Sequence, residues 1–258
     1  MTVSAGDPNG RPAAGPGRPA PVELGAAVLA ANRGRHAFED CVERLASAIR
    51  LGAFPDGSVL PPERELAVTM GVSRATLREA IAGLRSAGMV KTTRGRGGGT
   101  VVVHAPLLPG AGDASRLAER RGELMDALVF RRVVEPGACY VAAGRSLRPE
   151  QRSVLTDALA AIESAADAAA HRQADSRLHL AIASVTESPA IINAVTSVQA
   201  DLHDMLIAIP VLPVNIEHSS AQHRAIVAAI LGGDARRARR TMESHCDDTA
   251  ALLRGLLT

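Results

Sequence analysis

The chain has 258 residues, 47% of them hydrophobic, and a formal net charge of +2, enough apolar content to bury a core and to divide into two domains. Aromatic residues supply only 2% and tryptophan is absent, so Ala, Leu, Val and Ile must pack the core, which favours helices over a β-sandwich. Cys41, Cys139 and Cys246 are widely spaced with no CxxC, which excludes a disulfide framework and points to the cytoplasm; no apolar run reaches the roughly 18 to 20 residues of a membrane span, and the N-terminus does not read as a secretory signal.

Residues 1–35, rich in Gly, Pro and Ala, read as a flexible tail. A first domain is expected over 36–104. Phe38, Val42, Leu45, Ala46 and Ile49 fall at helical spacing, and Gly52 with the following Pro-Asp-Gly ends that helix near Leu51. A short second helix is expected to start around Pro61 and Pro62, where proline is tolerated in the first turn, and to stop at Gly71. Ser73 can cap a third helix whose buried stripe is Leu77, Ala80, Ile81 and Leu84. MVKTT, the turn RGRGGG and TVVV then read as a two-stranded hairpin. Three helices followed by a hairpin is the layout of a winged helix-turn-helix.

The stretch from His104 to Asp113 breaks every periodicity, and a linker is expected over 105–113. Beyond it, 114–258 reads as helix throughout, with segments near 114–145, 149–169, 171–186, 189–208, 215–232 and 234–256. Their short connections predict an all-α antiparallel bundle. The fold class is therefore mainly α, a winged helix-turn-helix joined to a helical bundle.

With Leu77, Ala80 and Ile81 facing inward, Arg74, Thr76 and Arg78 are left on the outer face of the third helix, where arginines can reach guanine or phosphate. Any amphipathic helix has a charged outer face, so periodicity leaves this open. The charge balance leans the same way: nine basic against seven acidic residues over 36–104, and 16 against 18 beyond it. In the second half, Asp175 and His179 stand four apart and share one helix face. His223 and His245 sit on the last two helices among apolar neighbours. One oxygen and three nitrogens suit a borderline divalent metal such as zinc, nickel or manganese, although bundle histidines are commonly surface or satisfied core residues.

The stretch LPPERELAVTMGVSRATLREAIAGLRSAGMVKTTRGRGGGTVV resembles the DNA-binding domain of the GntR family of bacterial regulators, over about residues 38–103. The resemblance implies DNA contact by Arg64, Arg74 and Arg78, with Ser73 and Thr76 beside them and Arg94, Gly95, Arg96 and Gly97 at the wing tip. Pro62 departs from the family, which often has serine there. FRRVVEPGACYVAA, DSRLHLAIA and HRAIVAAILGGDARRARRTMESH resemble the all-helical ligand-binding domain, called FCD, of the FadR subfamily. That resemblance implies a metal held by Asp175, His179, His223 and His245, and places Arg131 toward an effector pocket, where its planar fork suits a carboxylate. An ion pair with Glu135, four residues on, is the competing reading for Arg131. Gln222 stands where the family often has Glu, and Ser188 where Asn often precedes proline.

The expected function is a homodimeric regulator, a repressor by preference, that binds a double-stranded operator with an inverted repeat and responds to a small carboxylate effector. A sensor in which the cation is itself the signal is the alternative. A metal-dependent hydrolase is the third class, disfavoured because no HExxH and no general base beside the ligands is evident.

Overall fold

The computed structural model describes residues 37–93, 99–103, 119–207 and 213–256; the tail, the linker and the wing tip lie outside them. Helix α1 (Ala37–Arg50) buries Cys41, Leu45, Ala48 and Ile49. Helix α2 (Glu63–Met70) buries Leu66, Ala67 and Met70, and Gly71 closes it in the left-handed conformation at φ 69°. It starts just after the prolines, which stand outside its first turn. Pro62 is extended at ψ 137° and stands just outside, its carbonyl accepting from Glu65 N at 2.8 Å and Leu66 N at 3.0 Å. Proline has no side-chain acceptor to cap the helix, and the acidic Glu63 and Glu65 complement the dipole of the first turn instead.

Ser73 caps α3 (Arg74–Ser86) as its position predicts, its hydroxyl accepting from Thr76 N at 3.0 Å. Leu77, Ala80, Ile81 and Leu84 form the buried stripe. Strands β1 (Val90–Thr92) and β2 (Thr100–Val102) pair antiparallel, with Val90 opposite Val102. The segment before α2 adds to this hairpin, which sequence did not anticipate: Val59 bridges Val101, and Leu60 N donates to Thr100 O at 2.8 Å.

Among the described residues six helices follow: α4 (Arg121–Ala143), α5 (Pro149–Glu163), α6 (Ala168–Val185), α7 (Pro189–Ile207), α8 (Pro213–Leu231) and α9 (Ala235–Leu256). Helix α4 is the hub and packs on α6, α7, α8 and α9. Pro136 lies inside it and withholds one amide from the helical ladder. The α5–α6 break falls at residues 164–167, not near His171 as the sequence suggested. Alanine dominates both sides of that turn and hides it. What sets it is Asp167, extended at φ −149°, whose carboxylate accepts from Ala170 N at 2.8 Å.

Helix α6 is buried on nearly every side, with Leu178, Leu180, Ala181, Ile182, Ala183 and Val185 in the core. Its N-terminal half also meets the first domain. Gln173 Nε2 lies 3.2 Å from Ile49 O, which also accepts from Gly52 N at 3.0 Å, and 3.4 Å from Arg50 O at the end of α1. Gly52, at φ +71°, packs so closely here that a Cβ would stand 2.5 Å from Gln173 Cγ. A cavity of about 170 Å³ opens beside this seam, between Gly52 and Pro55 on one side and Ala170, Gln173 and Arg177 on the other.

Candidate functional site

The DNA-facing residues named from sequence lie as follows. Arg64, Ser73, Arg74 and Arg78 are exposed and Thr76 is half-buried. Ser73 and Thr76 are occupied with each other, Oγ to Oγ1 at 2.8 Å, which closes the first turn of α3. Arg78 is not free on the outer face, as the helical projection implied. Its Nε donates to Glu63 Oε2 at 2.7 Å and so ties α3 to α2. Both groups remain in contact with water, where such a pair contributes about 0–1 kcal/mol. Arg94, Gly95, Arg96 and Gly97 lie outside the described residues.

Asp175, His179, His223 and His245 are brought together from α6, α8 and α9. One ligating atom from each lies within 4.8 Å of all the others. Asp175 Oδ1 is 3.4 Å from His223 Nε2, and Asp175 Oδ2 is 3.9 Å from His179 Nε2. The imidazole centroids are 4.6 to 5.5 Å apart. All three rings are buried, and among the described residues none of the three Nε2 atoms has a hydrogen-bond partner. Buried polar nitrogens left unpaired cost free energy, and three converging on one carboxylate have the chemistry that could hold a divalent metal. The residues fit the ion. Burial pushes the pKa of His223 down to about 4, against the pull of Asp175, and holds His245 well below its ordinary value. Both rings are thus neutral at pH 7, the form that ligates.

Arg131 makes the ion pair that its spacing suggested, Nε to Glu135 Oε2 at 2.9 Å, with both side chains 1% exposed. Its Nη1 and Nη2 nevertheless have no hydrogen-bond partner among the described residues. The pair reading and the pocket reading are therefore compatible. Glu135 was not foreseen as a hub: its Oε2 also lies 3.0 Å from His179 Nδ1 and accepts from Cys246 Sγ at 3.6 Å, and its Oε1 accepts from Gln199 Nε2 at 2.5 Å. Burial alone would raise the pKa of Glu135. Arg131, then His179 and Gln199, outweigh it and hold the carboxyl well below the usual range. A charged carboxylate 3.0 Å from Nδ1 favours the proton on that nitrogen of His179, although the two are not aligned as a hydrogen bond.

Comparison with known proteins places the chain. The family described as "Bacterial regulatory proteins, gntR family" matches residues 38–102, and the FCD domain matches 126–248. The chain is 32% identical over 213 residues to the HTH-type transcriptional regulator RmpR of Mycobacterium gastri, covering 79% of this chain and 75% of that one. It is 30% identical to the repressor NanR of Cronobacter sakazakii, with 83% and 84% covered, and 29% identical to an L-lactate dehydrogenase operon regulatory protein of Escherichia coli strain K12, with 82% and 84% covered. Among solved structures, a GntR protein of Streptococcus agalactiae aligns over 83% of this chain and 99% of its own at 24% identity and a TM-score of 0.45. The molecule is a transcriptional regulator with a helix-turn-helix DNA-binding domain, not an enzyme. The chain belongs to the GntR family and carries an FCD domain in its C-terminal half, as in the FadR-like members.

Proposed function

We propose that this regulator is a homodimeric repressor, acting in the cytoplasm, whose hold on an inverted-repeat operator is controlled by a small carboxylate bound beside a divalent metal. In this reading residues 36–104 act on DNA through Arg64, Ser73, Arg74, Thr76, Arg78 and the segment Arg94 to Gly97. Residues 114–258 carry the sensor. The observation that carries it is the group of three buried, unpartnered imidazole Nε2 atoms around Asp175, with the two unpaired Nη atoms of Arg131 in the same bundle. Asp175, His179, His223 and His245 would hold zinc, nickel or manganese, and a metal preferring five or six ligands would leave positions open to a carboxylate oxygen. Arg131, kept charged by Glu135, would pair with the same carboxylate through its terminal nitrogens. A relative named as a repressor and another named for an L-lactate dehydrogenase operon are consistent with this reading.

The test uses tag-free protein and DNA selected from a random pool. Elemental analysis should find about one divalent ion per chain, lost on chelation and restored on add-back, and absent in His179→Ala and His223→Ala. Operator affinity of the loaded protein should fall when small organic acids are added, and Arg131→Ala should abolish that response. Protein without bound metal, and with no thermal shift on adding zinc, nickel or manganese, would overturn the metal centre. A change of operator affinity with metal alone, and none with any acid, would make the cation the signal.

A further inference from the structure

His245 is held differently from the other imidazoles of the cluster. Its Nδ1 lies 3.1 Å from Gln222 Oε1 on α8. The other end of that amide, Gln222 Nε2, donates to Asp248 Oδ2 at 2.7 Å, one turn beyond His245 on α9. Asp248 Oδ2 also lies 3.0 Å from His218 Nε2, one turn before Gln222 on α8. The chemistry of these groups leaves little freedom. A carboxylate only accepts, so the end of Gln222 that meets Asp248 is the amino end. The end left facing His245 is the carbonyl, which also only accepts. His245 Nδ1 must then carry the proton, and in a neutral ring Nε2 keeps its lone pair. That atom has no hydrogen-bond partner among the described residues and belongs to the cluster with Asp175, His179 and His223.

We infer that Gln222, oriented by Asp248, is the positioning residue that fixes the tautomer of His245 and thereby makes it a ligand. The inference rests on the metal reading above for its consequence, but its first claim concerns the metal-free ring. It also accounts for the amide at this position. A glutamate at 222 would set two carboxylates about 3 Å apart, whereas the amide satisfies both neighbours. Gln222 and Asp248 therefore act as a matched pair. Exchanging their chemistry should restore what either change alone disturbs.

The experiment reads two quantities on the full-length, metal-free chain: the ¹⁵N imidazole resonances of His245, and zinc affinity by competition with a chelator. Wild type should show a protonated Nδ1 and a lone pair on Nε2. Gln222→Leu should mix the tautomers and weaken zinc by about 10- to 100-fold, with the helical content retained. Gln222→Glu should weaken zinc through its clash with Asp248. The double variant Gln222→Glu with Asp248→Asn should recover at least wild-type affinity, because the amide now donates to a carboxylate that faces Nδ1. A merely structural role predicts no such recovery. An Nε2-protonated His245 in wild type, or wild-type zinc affinity in Gln222→Leu, would overturn the inference. A chain that binds no zinc yet shows the Nδ1-protonated ring would instead refute the metal reading and leave the orienting role standing.

Discussion

His223 shows how one buried side chain couples folding to pH. Its ring is 0% exposed, and burial, with smaller contributions from His179 and Arg131, lowers its pKa from 6.5 to about 4. Between those values the unfolded chain takes up a proton that the folded chain refuses. The free energy of unfolding is therefore fully present above pH 6.5 and declines as pH falls toward 4, by an amount of the order of 3 kcal/mol from this residue. Thermal melts of metal-free protein at pH 7.5, 5.5 and 4.5 should show a falling Tm, and His223→Leu should remove part of that slope. A flat Tm over this range would contradict the burial argument. The same depression means that the folded ring stays unprotonated well below 6.5, the value that the free side chain would suggest as the limit for ligation. The cluster of Asp175, His179, His223 and His245 was legible mainly through the resemblance to FCD domains, since spacing alone joins only Asp175 and His179 on one helix face. The groups that orient them were not: Glu135 and Gln199 are 64 residues apart, Gln222 and His245 are 23 apart, and no local pattern joins such pairs.

Among the elements, α3 was the most legible, because its stripe, its cap and its preceding glycine all agree. Its outer face was read incompletely, since a helical projection cannot show that Glu63 on α2 reaches Arg78. That pair sharpens the expectation for DNA binding. Arg74→Ala should cost about 1–3 kcal/mol of operator affinity at matched salt, and Arg78→Ala somewhat less, because Arg78 must first leave Glu63. Glu63→Ala should leave affinity unchanged or raise it slightly. Equal binding by wild type and both arginine variants would remove α3 from the interface. The α5–α6 turn failed the other way, as alanines carried the helical pattern across a break that Asp167 alone marks. In α4 the amphipathic reading meets an exception. Val129, Phe130, Val133, Tyr140 and Val141 are exposed, Val133 by 70%, yet they fall within about 120° of the helix circumference. That row runs roughly 18 Å along the helix.

At the scale of the whole molecule, the exposed row on α4 and the two half-sites of the proposed inverted-repeat operator would be met by the same thing, a second chain. Light scattering of the wild type at concentrations that saturate operator DNA should give the mass of a dimer, and Val133→Glu should shift it toward the monomer with weaker operator binding. A monomeric wild type would contradict the proposed assembly. The seam between the halves has a consequence of another kind. On α6, Gln173 and Asp175 point about 200° apart, so one rigid rod holds the end of α1 on one side and the His/Asp cluster on the other. Free energy exchanged across such a rod is reciprocal: if filling the cluster changes the operator constant by some factor, occupying the operator changes the affinity of the cluster by that same factor. In the proposed regulator the promoter would then itself be an effector, and copies resting on DNA would hold a bound ion differently from copies free in solution.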